Sequence, residues 1–182
     1  MPLPKEHIST IDDIYALPDG ERAELIKGQI YYMAPPGRKH QKILSFLFTE
    51  ISLYIRKKKG SCEVYPAPFA VFLNEENNTY VEPDISVICD KNKLDDKGCH
   101  GAPDWVIEIV SPSSKRMDYY TKLTLYKDAE VRDYWIVDPM KQVIVVYNLE
   151  LEEPPVIYGF HHKVKASIYD DLEIDFSEMN VE

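Results

Sequence analysis

The stretch Trp105–Val110 reads Trp-Val-Ile-Glu-Ile-Val and is apolar at every position except Glu108. A short run rich in β-branched and aromatic residues predicts a strand that is buried on both faces. A carboxylate in such a strand is costly to bury unless a cation pairs with it or a metal ion binds it. Glu108 therefore indicates either a buried ion pair with a core lysine or arginine, or a ligand of a metal ion.

A second carboxylate stands at the start of another apolar run. Asp84 follows Pro83 and opens a strand predicted over Asp84–Cys89, and a polar loop predicted over Asp90–Pro103 leads from there to the Glu108 strand. If the two strands are neighbours, the two carboxylates can lie side by side. Two carboxylates suit a hard divalent cation such as Mg²⁺.

Helical and strand patterns alternate along the rest of the chain. In chain order they are a short helix before Pro18-Asp19-Gly20, a hairpin of Ala23–Ile26 and Gln29–Met33, a long helix between Gly37 and Gly60, strands at Glu63–Tyr65 and Phe69–Leu73, a helix from Ser111 to about Asp128, and a strand pair of Tyr134–Val137 and Val143–Tyr147. Helices and strands arranged around one sheet predict an α/β or α+β domain.

Composition bounds the class of protein. The chain has 182 residues, 45% of them hydrophobic and 29% charged, which predicts one globular domain. No apolar run approaches the length of a membrane span, and Met1–Thr10 has no apolar core of the kind found in secretory signals. The three cysteines form no Cys-x-x-Cys pair, which predicts free thiols in a reducing, cytoplasmic compartment.

The charges are distributed unevenly. The formal net charge is −10, which argues against nucleic-acid binding, and Asn148–Glu182 forms an acidic tail with nine acids and two bases. The segment from Gly37 to Gly60 carries seven bases and one acid. This basic helix is either a solvated surface or a face that binds a polyanion.

Several segments together resemble a known family. They are Glu24–Ile30, the lone His40, Val81-Glu82-Pro83-Asp84, Glu108 with Ser111-Pro112-Ser113, the helical series Asp118, Lys122 and Tyr126, and Val131–Pro139. Their order and spacing resemble the family of putative restriction endonucleases called Uma-two, which belongs to the PD-(D/E)XK nuclease superfamily. The resemblance covers about residues 10–165.

The resemblance implies a restriction-endonuclease-like fold, a mixed β-sheet flanked by helices with an αβββαβ core, as a single nuclease-like domain over residues 1–182. It implies that Asp84, Glu108 and the backbone carbonyl of Ile109 bind Mg²⁺ or Mn²⁺. The superfamily places a lysine two residues after the glutamate, where this chain has Val110. Lys122 on the following helix is the expected replacement, so the implied catalytic residues are Asp84, Glu108 and Lys122.

Three further residues are expected around the site, each with a structural alternative. His40 faces inward from the long helix and is either a core histidine or a neighbour of the metal ion. Glu24 points into the site or pairs with a lysine at a strand edge. Asp118 orients Lys122, or the two form only a surface ion pair one helical turn apart.

The implied function is metal-dependent endonucleolytic cleavage of DNA, with a homodimer expected by analogy. The alternative is a non-catalytic relative that keeps the fold as an oligomeric or nucleic-acid-binding module. The acidic net charge and Val110 favour the alternative, and the carboxylates Asp84 and Glu108 favour the enzyme.

Overall fold

The computed structural model of the chain describes residues 8–180. The absence of a secretory signal was predicted from Met1–Thr10, and residues 1–7 of that segment lie outside the described residues. Within residues 8–180, no helix combines the length and the apolar character needed to cross a membrane.

Three α-helices are described: α1 at Ile11–Tyr15, α2 at Arg38–Lys58 and α3 at Lys122–Asp128. The long helix α2 buries Ile43, Leu47 and Ile51, as their spacing predicts. It ends because Lys59 adopts a left-handed conformation, with φ of 52°, and turns the chain away. A π-helical turn at Met117–Thr121 leads directly into α3.

The strands form two six-stranded sheets and a two-stranded ribbon, so the expectation of one sheet is wrong. The first sheet has the order β2-β1-β5-β4-β8-β7, the second β12-β11-β10-β9-β6-β3, and β13 pairs with β14. The bounds are β1 Ala23–Ile26, β2 Gln29–Tyr32, β3 Glu63–Pro66, β4 Val71–Phe72, β5 Tyr80–Val81, β6 Ile85–Ile88, β7 Leu94–Asp95, β8 Gly98–His100, β9 Trp105–Ile109, β10 Asp133–Asp138, β11 Val143–Asn148, β12 Val156–Gly159, β13 Lys163–Lys165 and β14 Glu173–Asp175.

The second sheet explains why the Glu108 strand is apolar on both faces. In its centre, β9 pairs in parallel with β10 and antiparallel with β6. Trp105, Ile107 and Ile109 pack in one cluster with the inward residues of α2, whereas Val106 and Val110 pack in another with Tyr126 of α3. Because helices cover both faces of β9, Glu108 is the one polar residue of a strand that is otherwise apolar and buried.

The stretch from Asp90 to Pro103 differs from the polar loop that its composition predicts. It contains a 3₁₀ turn at Lys91–Lys93 and the strands β7 and β8. These strands have two and three residues, too short for a periodic pattern, and they form because β8 adds in parallel to β4.

The cysteines also differ from expectation. Cys62 and Cys89 form a disulfide, and Cys99 is a buried free thiol. The pairing follows from the register of β3 and β6, because Glu63 lies opposite Ile88 and each cysteine is the next residue outward on its strand. The prediction of three free thiols is therefore wrong for this pair.

We expect unfolded, unreduced protein to react with one equivalent of a thiol reagent, and reduced protein with three, since only Cys99 is free. The double variant Cys62→Ser/Cys89→Ser should lose about 2–4 kcal/mol in free energy of unfolding, because the disulfide restricts the unfolded chain. Denaturant unfolding with and without reductant measures this loss, and reductant should leave the variant unchanged. Three reactive thiols before reduction would contradict the pairing.

Asp133 fastens the C-terminal segment to β10. Its Oδ2 accepts a hydrogen bond from the backbone N–H of Ser167 at 2.7 Å, and its Oδ1 accepts one from Trp135 Nε1 at 3.0 Å. Burial raises the pKa of Asp133 to about 7, although the hydrogen bonds from Ser167 and Trp135 oppose the rise.

The raised pKa of Asp133 means that the folded state holds a proton that the unfolded state releases near its ordinary pKa of 3.8. Its contribution to stability is therefore greatest at low pH and falls as the pH rises to about 7, by at most about 1.4 kcal/mol per pH unit. The free energy of unfolding of Asp133→Asn, measured relative to that of wild type, should therefore rise as the pH rises over this range. Unfolding at pH 5 and pH 8 measures the effect, with exposed Asp96→Asn as control. Parallel pH profiles for Asp133→Asn and wild type would contradict it.

Candidate active site

Glu108 and Lys122 form a buried ion pair at the centre of the second sheet. The Lys122 Nζ donates to Glu108 Oε1 at 2.8 Å, and each side chain is only 5% exposed. The hydroxyl of Tyr126 donates to the same oxygen at 2.7 Å. Glu108 is thus paired with a core lysine, which is one of the two roles that the sequence indicated for it. Both donors bind Oε1, so Oε2 takes no part in these contacts.

Glu24 brings the first sheet to the same lysine. Its Oε1 accepts from Lys122 Nζ at 2.9 Å and from the backbone N–H of Glu82 at 3.0 Å. Glu24 lies on β1, so Lys122 connects a strand of each sheet through one ammonium group. Both interpretations of Glu24 are therefore met together, because it points at the site and pairs with a lysine.

Asp84 lies beside Glu108 at the start of β6. Since Ile85 pairs with Ile107, the same antiparallel register carried one residue further sets Asp84 opposite Glu108 on one side of the sheet. The Asp84 Oδ2 accepts from the backbone N–H of Ile109 at 2.7 Å. The Asp84 side chain is 16% exposed and is therefore more accessible to solvent than that of Glu108.

His40 contacts Asp84 from the first turn of α2. The His40 Nε2 lies 3.0 Å from Asp84 Oδ2, whereas the buried Nδ1 has no hydrogen-bond partner. Burial lowers the pKa of His40, but the hydrogen bond and the charge of Asp84 outweigh burial and raise the pKa above its ordinary value. His40 is therefore a neighbour of Asp84, which is a candidate metal ligand.

Asp118 lies inside the π-helical turn and does not stand at the surface. It is 2% exposed, and its Oδ2 accepts from the hydroxyl of Ser114 at 2.6 Å. Burial raises the pKa of Asp118 to about 6, although the charge of Lys122 opposes the rise. The alternative of a surface ion pair between Asp118 and Lys122 is therefore wrong. π-helical turns often occur at functional sites, and this one sets Lys122 one residue after its end.

The cluster holds more acids than bases. Burial raises the pKa of Glu108 well above its ordinary value, and the charges of Asp118, Asp84 and Glu24 add to the rise while Lys122 opposes it. Burial lowers the pKa of Lys122, but Glu108 and Glu24 outweigh this and raise it well above its ordinary range. Lys122 is therefore charged, and the carboxylates around it favour additional positive charge.

The donor set is of the kind that binds a hard divalent cation. Asp84 and Glu108 each use one oxygen for the hydrogen bonds above, so Oδ1 and Oε2 stand outside them. Mg²⁺ is commonly bound by one or two carboxylates with several waters. Among residues 8–180, no group of three or more His, Cys, Asp and Glu side chains is arranged to hold a metal ion. In the described part of the chain, Asp84 and Glu108 therefore offer a cation two carboxylates, and the expected site of Asp84, Glu108 and the Ile109 carbonyl stays a prediction.

Two contributors to the site were not assigned to it from the sequence. Neither Tyr126 nor Ser114 was among the expected site residues, yet the hydroxyl of Tyr126 donates to Glu108 and that of Ser114 donates to Asp118. The spacing of Lys122 and Tyr126, one helical turn apart, is the signal that could have placed Tyr126 beside Glu108.

Comparison with known proteins identifies relatives. The model of the Uma2 family, described as "Putative restriction endonuclease", matches residues 11–181. An uncharacterized protein of Synechocystis sp., slr1290, is 29% identical over 129 residues, which span 70% of this chain. The aligned part covers 66% of that protein, just under two thirds of its length.

A solved structure has the same fold. A crystal structure from Anabaena variabilis, described as a putative nuclease belonging to DUF820, superposes with a TM-score of 0.76. The superposition covers 93% of this chain and 96% of the other, at 21% sequence identity. The mixed α/β architecture of two sheets flanked by helices is thus a nuclease-like fold.

Removal of the shared ammonium tests the electrostatics of the site. We expect Lys122→Met to lower the free energy of unfolding by about 3–5 kcal/mol at pH 8, because Glu24 and Glu108 remain buried without a cation. Burial already raises the pKa of Glu108, and Lys122 is the charge that opposes the rise, so in the variant the loss should shrink as the pH falls and Glu108 takes up a proton. Denaturant unfolding at pH 5 and pH 8 measures both effects.

The control for this experiment is Lys127→Met, since Lys127 pairs with Glu152 at the surface with 55% of its side chain exposed. It should change stability by less than about 1 kcal/mol. If Lys122→Met lowered the free energy of unfolding by as little as the control does, and by the same amount at both pH values, the ammonium of Lys122 would not be the group that balances the buried acids.

Proposed function

The chain belongs to the Uma2 family of putative restriction endonucleases, and from this membership and the geometry of the buried cluster we propose that it is a metal-dependent endonuclease that hydrolyses phosphodiester bonds in DNA. The observation that carries the proposal is the arrangement of Glu24, Glu108 and Asp118 around the single ammonium of Lys122, with Asp84 on the accessible side. An excess of buried carboxylates is costly in a purely structural core. It is useful where a cation has to be bound.

Asp84 and Glu108 would hold a Mg²⁺ or Mn²⁺ ion, with the carbonyl of Ile109 as a further ligand. When bound, such an ion acidifies water and neutralises charge on a phosphate. The chain's own residues set the geometry. The N–H of Ile109 and the ring of His40 both hold Asp84 Oδ2, which fixes the orientation of that carboxylate.

Glu108 is positioned in the same way from the opposite side. Lys122 and Tyr126 hold its Oε1, so the plane of the carboxylate is set and Oε2 is presented toward Asp84's side of the sheet in the proposed site. Lys122 also supplies fixed positive charge in a site with little solvent, where it stabilises an oxyanion most strongly. This gives Lys122 the role that the lysine missing at Val110 would have.

The alternative function is a nuclease-fold protein that binds nucleic acid without cutting it. The observation in its favour is that Lys122 already neutralises Glu108 at 2.8 Å. The two functions differ in what the carboxylate is for: in the enzyme Glu108 serves the metal ion, whereas in the alternative it only counters the lysine.

We expect the purified protein to nick supercoiled plasmid in Mg²⁺ or Mn²⁺ and to be inactive in EDTA. Glu108→Gln should lower the nicking rate by at least about a hundredfold, because the charge at the metal is lost while the amide oxygen still accepts from Lys122 and Tyr126. Gel electrophoresis measures nicking, and circular dichroism checks the fold.

The matched control is Glu152→Gln. Glu152 pairs with Lys127 at the surface at 3.2 Å, so its neutralisation removes the same charge away from the site. It should keep the wild-type rate. Nicking that persists in EDTA, or in Glu108→Gln, would exclude the proposed mechanism, and duplex binding without nicking would favour the non-catalytic alternative.

A further inference from the structure

The outward face of α2 carries a row of basic and hydroxyl side chains that the buried cluster does not use. The members recur every three or four residues and so lie along one side of the helix. We call them the outward row: Arg38, Lys42, Ser45, Thr49, Ser52 and Arg56. All are exposed except Ser52, which is half-buried. The opposite side buries Ile43, Leu47 and Ile51, so the helix cannot rotate to hide the row.

The row begins in the same turn of α2 as His40, on the opposite side of the helix. His40, which contacts Asp84, lies on the inward side of the same first turn that carries Arg38 and Lys42. From residue 38 to residue 56 the helix rises by about 27 Å. This is about eight base pairs of a DNA duplex at 3.4 Å per pair.

Five of the basic residues in and beside the row are available for a partner. Lys58 pairs with Asp171, whereas Lys39, Lys42, Arg56, Lys57 and Lys59 make no ion pair with the part of the chain that the structure describes. The acid of this helix, Glu50, is half-buried and lies to one side of the row. Although the chain has a net charge of −10, this surface therefore keeps a local positive charge that attracts an anionic partner.

The far end of the row widens into a recess. A surface cavity of about 330 Å³ is lined by Ser52, Arg56, Lys59 and the neighbouring strand β3. The row therefore ends beside a concave surface with the positive charges of Arg56 and Lys59, and the carboxylate that also lines it, Glu63, is paired with Lys91. Arg56 can bind a phosphate group there in a forked contact.

The chemistry of the row favours a duplex over a single strand. Proteins that bind single strands offer aromatic side chains on which bases stack. The aromatic residues of α2, namely Phe46, Phe48 and Tyr54, are half-buried against the core and not on the row. The row has cations at both ends, Arg38 and Lys42 at one and Arg56 at the other, with three hydroxyl residues between them, of which Thr49 donates to the carbonyl of Ser45. Cations and small polar groups along one line suit a stiff phosphate backbone.

We propose that the outward row of α2, with Lys39, Lys57 and Lys59 beside it, binds the phosphate backbone of double-stranded DNA and directs the duplex to Asp84 and Glu108. The proposal rests on the proposed function for the identity of the substrate. It adds the surface that holds the DNA, and it assigns the basic segment between Gly37 and Gly60 to binding.

The test uses the far end of the row, which does not touch the candidate site. The triple variant Arg56→Gln/Lys57→Gln/Lys59→Gln is compared with the control Lys97→Gln/Lys163→Gln/Lys165→Gln, which removes three exposed charges elsewhere. Fluorescence anisotropy with a labelled 20-base-pair duplex in EDTA, at several salt concentrations, gives the affinity and its salt dependence. Circular dichroism checks that both variants fold.

We expect the far-end variant to bind at least about tenfold more weakly than wild type, and its slope of log affinity against log salt to be shallower by about 2.7, since each lost phosphate contact removes about 0.9. The control should stay within about twofold of wild type. Equal loss in both variants, or none in the far-end variant, would overturn the proposal.

Plasmid nicking measured on the same preparations separates this proposal from the proposed function. If wild type nicks the plasmid and the far-end variant binds the duplex as wild type does, the DNA-binding surface is overturned and the endonuclease function stands. If the row binds the duplex but the protein does not nick plasmid with any metal ion tested, the DNA-binding surface is supported and the endonuclease function is overturned. A single-stranded oligonucleotide that binds more tightly than the duplex overturns the choice of duplex.

Discussion

The ammonium group of Lys122 is the point on which both the fold and the candidate site depend. It lies 2.9 Å from Glu24 on β1 and 2.8 Å from Glu108 on β9, so a single cation joins a strand of each sheet to α3. In an interior from which water is excluded, such a charge is tolerated only because its partners satisfy it and it satisfies them. The same contact that holds the sheets together therefore also fixes the position of Glu108 relative to Asp84.

The neighbouring hydrogen bonds extend this constraint without adding positive charge. Tyr126 supports Glu108, the N–H of Ile109 supports Asp84, and Ser114 supports Asp118. Neutral donors can orient carboxylates, but they do not balance them. The carboxylates of the cluster are thus held by hydrogen bonds, but the cluster has fewer positive than negative groups. A cation can bind to such a cluster with little rearrangement of its side chains.

Local sequence predicted the parts of this arrangement that depend on local rules. The apolar run around Glu108 predicted β9, and the periodic apolar residues predicted α2 with its end near Gly60. The family fold implied by the resemblance is confirmed by the match over residues 11–181 and by the superposed nuclease-like structure. The division into two sheets was not predicted, because β4 and β5 have only two residues each and exist through their neighbours.

The remaining misses depend on contacts between distant parts of the chain. Lys122 and Glu24 are 98 residues apart, and no periodic pattern reports such a contact. The disulfide needed the register of β3 against β6 before Cys62 and Cys89 could be paired. Asp118 lies one helical turn before Lys122 on the same side of the helix, and both are buried because that side faces Glu108 and Glu24, which are distant in sequence.

The distribution of charge gives these observations a common physical meaning under the proposed function. Carboxylates are concentrated inside, around Lys122, and bases are concentrated on the outward row of α2, so the two kinds of charge do not neutralise each other within the chain. A phosphate backbone drawn to the row would come close to buried acids that repel it. A divalent cation held by Asp84 and Glu108 would reverse that repulsion, because it is attracted to the carboxylates and to the phosphate alike. The row can therefore bind a duplex without a metal ion, and a bound cation would strengthen that binding under the proposed function.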